Sequence, residues 1–274
     1  MLPYKDLYIY EISGEVSGSK GIFREDYLGC WNEGETSFLF FSAPHDDEVE
    51  AVATKKGLPL RSKNVLDYKS WQAGDELKPF NVGNLVICPA WEDRDVREGE
   101  ILIRLDPCVV FGTGNHSTTR TCLEALWEIY QRERPKIVLD LGTGSGILAL
   151  ASAKLGAERI LAVDCNELAV ETASRNVLLN GESHRIEVRQ GWAEQFIEEE
   201  ADLVCANLHS QIIEALLKKE GFFTKRWVIL SGIFVRDGEE IEKRLKGGPL
   251  EPFRRFQEKM WMTWVGANKG CKGA

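Results

Sequence analysis

The chain has 274 residues, 43% hydrophobic and 28% charged, which excludes a disordered or fibrous protein and leaves room for one large domain or two modest ones. With 43 Asp and Glu against 34 Lys and Arg the net charge is −9, so a polyanion is repelled and no direct nucleic-acid binding is expected; a basic protein or a small molecule is the easier partner. No apolar run reaches the roughly 20 residues of a membrane span, and Met1 to Asp6 lacks the basic and apolar regions of a secretory signal.

Leu7 to Ile12 has the composition of a strand and is followed by the Gly/Ser-rich stretch from Ser17 to Gly21. Tyr27–Trp31 and Thr36–Phe41 flank Asn32-Glu33-Gly34 and predict a hairpin. A helix is expected over Asp46–Lys56, capped by Asp46 or Asp47 and ended by Gly57. Residues 1–66 thus make a small α+β unit. Residues 67–106 form a connector with strands ending at Pro89 and at Asp106-Pro107, since proline cannot donate to a sheet ladder. Between these strands lies a charged loop from Glu92 to Gly99.

From Ser117 the pattern alternates. Helices are expected over 117–130, 147–155, 167–179, 210–219 and 235–246, the first capped by Ser117 or Thr118. Strands are expected over 137–141, 159–163, 186–189, 202–206 and 227–230. Such alternation predicts βαβ units and a parallel sheet. Phe253–Gln257 and Met260–Ala267 are joined by too short a turn for a parallel crossover, so they predict a terminal antiparallel hairpin. Residues 107–268 form this α/β domain, and 269–274 are expected to fray. The seven cysteines, odd in number and without CxxC spacing, indicate free thiols in a reducing cytoplasm, and the four scattered histidines offer no metal site.

The segment Asp140-Leu141-Gly142-Thr143-Gly144-Ser145-Gly146 follows an apolar strand and opens a helix. Glycines permit a sharp turn and close approach of backbone to a ligand, and the helix start offers free N–H groups. The next strand ends at Asp164, where an acid can accept both hydroxyls of a nucleoside ribose. The GxGxG spacing differs from the GxGxxG of dinucleotide sites, which opposes a nicotinamide-dependent oxidoreductase. With the preceding Asp140 it resembles the first motif of class I S-adenosylmethionine-dependent methyltransferases, whose Rossmann-like sheet also ends in an antiparallel hairpin.

Three further segments narrow the resemblance: Asp106-Pro107-Cys108-Val109-Val110-Phe111-Gly112-Thr113-Gly114-Asn115-His116-Ser117-Thr118-Thr119, Cys205-Ala206-Asn207-Leu208-His209, and Leu230-Ser231-Gly232-Ile233. Together they resemble the ribosomal protein L-eleven methyltransferases over about residues 67–267. The resemblance implies a methyl transfer from S-adenosylmethionine to lysine or α-amino groups of that basic ribosomal protein; the cysteine usage adds the expectation of a cytoplasmic enzyme, and a monomer is expected. It implies cofactor contacts from Thr119, Gly142, Gly144, Asp164 and Asn207, with Asn207 also the catalytic residue beside the incoming amine. Asn207 can instead simply cap the following helix. A turn-stabilising role outweighs catalysis for His116, and Trp192 can stack on adenine or lie in the core.

The sequence departs from the family at Cys108, where glycine is usual, at Asn115 and Ser117 (usually Thr and Pro), and at Thr143 (usually Cys). The family's recognition domain is ferredoxin-like with a helix between its first two strands, whereas Ser17 to Arg24 is too short for a helix with its loops. A methyltransferase for another protein or a small molecule is the alternative. If residues 1–66 are a separate recognition unit, their removal is expected to spare cofactor binding.

Overall fold

The structure, a computed structural model, describes residues 4–16, 22–23, 26–68, 78–268 and 270; the stretch from Ser17 to Gly21, Trp71, and all of the tail except Gly270 lie outside them. The first region contains β1 (Asp6–Ser13), β2 (Tyr27–Glu33), β3 (Thr36–Phe41), α1 (Asp46–Lys56) and β4 (Leu60–Asp67). Its strands form one antiparallel sheet in the order β2-β3-β1-β4. Successive side chains of a strand point to opposite faces. Tyr10 and Ile12 therefore join Leu39, Phe41 and the α1 residues Val49 and Ala53 in one cluster. Leu7 and Ile9 join Leu28 and Phe40 on the other face, against Tyr68, Cys108, Val109 and Leu168.

Neither aspartate caps α1. The N-cap is His45, whose backbone N–H donates to Tyr10 Oη at 2.8 Å, while Asp46, Asp47 and Glu48 occupy the first turn, where the helix dipole favours negative charge. Gly57 ends the helix in the left-handed region, as expected. The strand β4 was not expected from the sequence.

The connector forms a three-stranded sheet of β5 (Phe80–Val82), β6 (Leu85–Pro89) and β7 (Ile101–Leu105). β5 pairs with β6 only as far as Ile87, so Pro89 at the strand end breaks no bond to it. The side chains of Leu85, Ile87, Ile103 and Leu105 belong to the same apolar cluster as the following helices.

The remaining elements are α2 (Ser117–Tyr130), β8 (Ile137–Leu141), α3 (Ile147–Leu155), β9 (Arg159–Asp164), α4 (Glu167–Leu179), β10 (Ile186–Gln190), α5 (Ala193–Phe196), β11 (Leu203–Asn207), α6 (Ser210–Leu216), β12 (Trp227–Phe234), α7 (Val235–Leu245), β13 (Leu250–Glu258) and β14 (Trp261–Asn268). They build a seven-stranded sheet in the order β10-β9-β8-β11-β12-β14-β13. β8 to β12 are parallel, and β14 is antiparallel to both β12 and β13. The central strands are largely apolar because both faces are covered. Val138, Cys205 and Ile229 face α2 and α3, while their neighbours Leu139, Val204 and Leu230 face α6 and α7. The helix expected to reach residue 219 stops at Leu216, and a 3-10 turn follows over Glu220–Thr224. Among the described residues no helix is long and apolar enough to cross a membrane.

Candidate functional site

In open α/β sheets ligands settle at the carboxyl ends of the strands where strand order reverses. Here that point lies between β8 and β11, which pair up to Leu141 and Ala206. A cavity of about 340 Å³ opens there, within the ~300–1,000 Å³ of small-ligand pockets. Gly142, Gly144, Asp164, Trp192 and Asn207 border it, with Phe111, His116 and Trp261 at its aromatic side.

The glycine loop leaves β8 with φ of 73° at Gly142 and 55° at Gly144. A Cβ at Gly142 would stand 2.3 Å from Leu208 Cδ2, and one at Gly144 2.6 Å from the Phe111 carbonyl oxygen. The loop can therefore touch both the segment after β11 and the turn before α2 only because these positions lack side chains. Ser145 locks the second contact: its N–H donates to Phe111 O at 3.0 Å and its hydroxyl to Gly112 O at 2.6 Å.

Two carboxylates support the loop. Asp140 is buried and its Oδ2 accepts from Thr143 Oγ1 at 2.6 Å and from the Ala149 N–H at 3.1 Å. Its Oδ1 has no partner among the described residues. Burial outweighs those bonds and pushes its pKa up to about 6. Asp164 closes β9. Its Oδ2 accepts from the Gly144 N–H and its Oδ1 from the Asn166 N–H, both at 3.0 Å. Each oxygen keeps a further lone pair for a ligand. Burial also raises the pKa of Asp164, against the opposing effect of these backbone donors.

Asn207 ends β11, and its Nδ2 donates to Thr119 Oγ1 at 3.5 Å, so the first turn of α2 and the end of β11 meet here. Thr119 is fully buried beneath the asparagine; its neighbour Thr118 borders the cavity. The expected caps of α2 are replaced by His116, whose Nδ1 meets Thr118 Oγ1 at 2.7 Å and, more weakly, the Thr118 N–H at 3.4 Å. Burial lowers the His116 pKa, which keeps the acceptor form of the ring. His116 is thus a cap and turn stabiliser, its ring edge-on to Phe111 and to Trp261, with centroids 5.2 and 5.1 Å away.

Trp192 is 61% exposed, so the core alternative for it falls and it stands at the rim of the cavity. Glu194, Cys165 and Trp261 also border the cavity but were not singled out from sequence. The first two follow Trp192 and Asp164 closely enough to have been found; Trp261 lies on the terminal hairpin, and only the register of β14 brings it here. The six described cysteines, Cys271 lying outside, are free thiols, and no three acidic, His or Cys side chains among the described residues gather as metal ligands.

The strand order, the terminal antiparallel pair and the glycine loop under a strand-end acid define a class I methyltransferase fold. A family model described as ribosomal protein L11 methyltransferase (PrmA) matches residues 45–269, and the chain belongs to that family. Curated relatives named "Ribosomal protein L11 methyltransferase" include those of Desulforamulus reducens, 38% identical over 196 residues (69% of this chain and 61% of the relative), and Thermosynechococcus vestitus, 41% identical over 189 residues (65% and 61%). The matched segment thus spans about three-fifths of the length of these relatives. A crystal structure described as ribosomal protein L11 methylase from Lactobacillus delbrueckii subsp. bulgaricus superposes with a TM-score of 0.60 at 30% identity, covering 70% of this chain and 99% of that one.

Proposed function

We propose that the chain transfers methyl groups from S-adenosylmethionine to lysine or α-amino groups of the large-subunit ribosomal protein named in its relatives. The observation that carries this reading is the Asp164 carboxylate, fixed by the Gly144 and Asn166 N–H groups between the glycine loop and Trp192, with lone pairs left for ribose hydroxyls. The tight turns at Gly142 and Gly144 bring the loop's backbone to the cavity, where it can meet the amino-acid part of the cofactor, and Trp192 offers a face for adenine. When bound, the cofactor supplies an electrophilic methyl group on sulfur.

The chain's own residues then have to hold a neutral amine in line with that methyl group and exclude competing water. Thr119 engages Nδ2 of Asn207, which leaves Oδ1 as the acceptor for an amine N–H and gives Asn207 its catalytic role. A lysine reaching the apolar rim of Phe111 and Trp261 loses part of its hydration, which favours release of its proton to solvent. The net charge of −9 suits a basic protein substrate rather than nucleic acid. In this reading residues 1–66 recognise the substrate, 67–106 connect, and 107–268 form the catalytic domain of a cytoplasmic monomer.

Calorimetry is expected to show S-adenosylmethionine bound at least tenfold, ~1.4 kcal/mol, more tightly than NAD. Asp164→Ala is expected to weaken that binding by ~1–3 kcal/mol through lost hydrogen bonds to a charged acceptor. Tighter NAD binding, or unchanged affinity in a folded variant, removes the basis of the reading. Labelled methyl transfer to the purified ribosomal protein tests the substrate.

A further inference from the structure

Asn176 in the last turn of α4 and Asn180, the C-cap of that helix, stand one turn apart, and both amides pair with backbone of the segment that leaves the connector. Asn180 Oδ1 accepts from the Arg104 N–H at 2.9 Å, and its Nδ2 donates to the Arg104 carbonyl at 2.7 Å. Asn176 repeats this with Asp106, accepting from its N–H at 2.9 Å and donating to its carbonyl at 2.8 Å. The spacings match: four helical residues rise about 6 Å and two extended residues about 6.6 Å. The helix thus presents two amides as if they were the next strand of the sheet.

The second amide hydrogen distinguishes the two residues. That of Asn180 goes back to the Asn176 carbonyl, at 2.8 Å, within the helix end. That of Asn176 goes to the Ser145 carbonyl, at 2.8 Å, in the glycine loop. Asn176 is fully buried, and both hydrogens of its amide are used. Ser145 is then held on three sides: N–H on Phe111, hydroxyl on Gly112, carbonyl on Asn176.

We propose that Asn176 is a positioning residue for the cofactor site, holding the glycine loop at the distance from the 106–112 turn that ligand binding requires. This rests on the reading that the glycine loop receives S-adenosylmethionine. The residue does not border the cavity; it acts by tying Ser145 of the loop to Asp106 at the start of the 106–112 turn. Asn180 has the same chemistry without the link to the loop and serves as its internal control.

The full-length chain is compared with Asn176→Asp and Asn180→Asp by thermal melting, by hydrogen exchange of residues 142–147 in cofactor-free protein, and by S-adenosylmethionine calorimetry. Both variants lose donors and are expected to melt earlier. Only Asn176→Asp is expected to speed exchange in the loop and raise Kd, each about tenfold or more; Asn180→Asp is expected to stay within about twofold of wild type. Equal effects of the two variants on exchange and Kd overturn the proposal. Should Asn176→Asp fail to fold, Asn176→Ser, whose hydroxyl can serve one partner at most, is read against the same criteria. Wild-type protein that binds no S-adenosylmethionine refutes the functional reading instead, and the exchange contrast then still decides whether Asn176 positions the loop.

Discussion

The two larger sheets solve the same problem differently. The seven-stranded sheet buries both faces under its own helices, so its central strands are mostly apolar, with Asp140 and Ser231 the buried polar residues on β8 and β12. The four-stranded sheet has α1 on one face only. Its other face, with Leu7, Ile9, Leu28 and Phe40, is covered by Cys108, Val109 and Leu168 of the larger region. The contact is tight: a Cβ on Gly29 would stand 2.2 Å from Leu168 Cδ1. It also adjoins the turn that clamps the glycine loop, since Tyr68 Oη donates to the Cys108 carbonyl at 2.6 Å. A region without a second layer of its own depends on its neighbour, and here the neighbouring surface includes the support of the candidate site.

This alters the expectation that removal of residues 1–66 spares cofactor binding, and it supplies the sharpest test of the comparison. Their deletion uncovers Cys108, Val109 and Leu168, a loss of roughly 3–6 kcal/mol from Val109 and Leu168 alone at ~1.5–3 kcal/mol for each large side chain. Residues 67–274 alone are expected to melt well below the full chain and to bind S-adenosylmethionine more weakly. An unchanged melting temperature would mean that the two regions are independent. Gly29→Ala probes the same face by a single methyl group. Overpacking against Leu168, added to a φ of 145°, is expected to cost roughly 2–3 kcal/mol in urea unfolding. A neutral result would place Leu168 away from the sheet.

A smaller effect is expected within the larger region. Asp140 titrates at about 6 in the folded chain against a reference of 3.8. The folded state therefore holds the extra proton between these values, and the contribution of Asp140 to stability declines as pH rises from about 4 to about 6. An asparagine side chain at this position would accept the same Thr143 and Ala149 bonds through its oxygen without a buried charge. Asp140→Asn is expected to gain roughly 1–2 kcal/mol near pH 7 and to flatten the profile below it. Urea titrations at pH 4.5 and 7 check both signs; a variant weaker than wild type at pH 7 contradicts the account.

The smallest effect is expected at the junction. Cys108 has a φ of 50°, which L side chains adopt at a cost of ~1–2 kcal/mol. Glycine would carry no such cost at this position. Cys108→Gly relieves that strain and loses a buried thiol, so a net change within about 1 kcal/mol is expected by thermal melting. A loss above about 2 kcal/mol would show that the side chain's packing against the first sheet outweighs its backbone strain.

What the sequence determined by itself was local and periodic. The central strands of the seven-stranded sheet were legible because burial on both faces demands largely apolar runs, as in Val138-Leu139 and Cys205-Ala206. The glycine loop and Asp164 were legible because their chemistry needs particular residues at particular spacings. β4 was not, because it is an edge strand with most of its residues exposed, so Leu60–Asp67 carries no alternation to read. His116 and His45 took the cap positions from the expected Ser, Thr and Asp because the chain turns one residue earlier in each case. Tertiary structure alone decided that Asn207 meets Thr119, that Trp261 reaches the cavity from the last strand, and that Asn176 spans to Ser145. Each joins residues more than thirty positions apart, and such contacts depend on strand order and register, which no local pattern encodes.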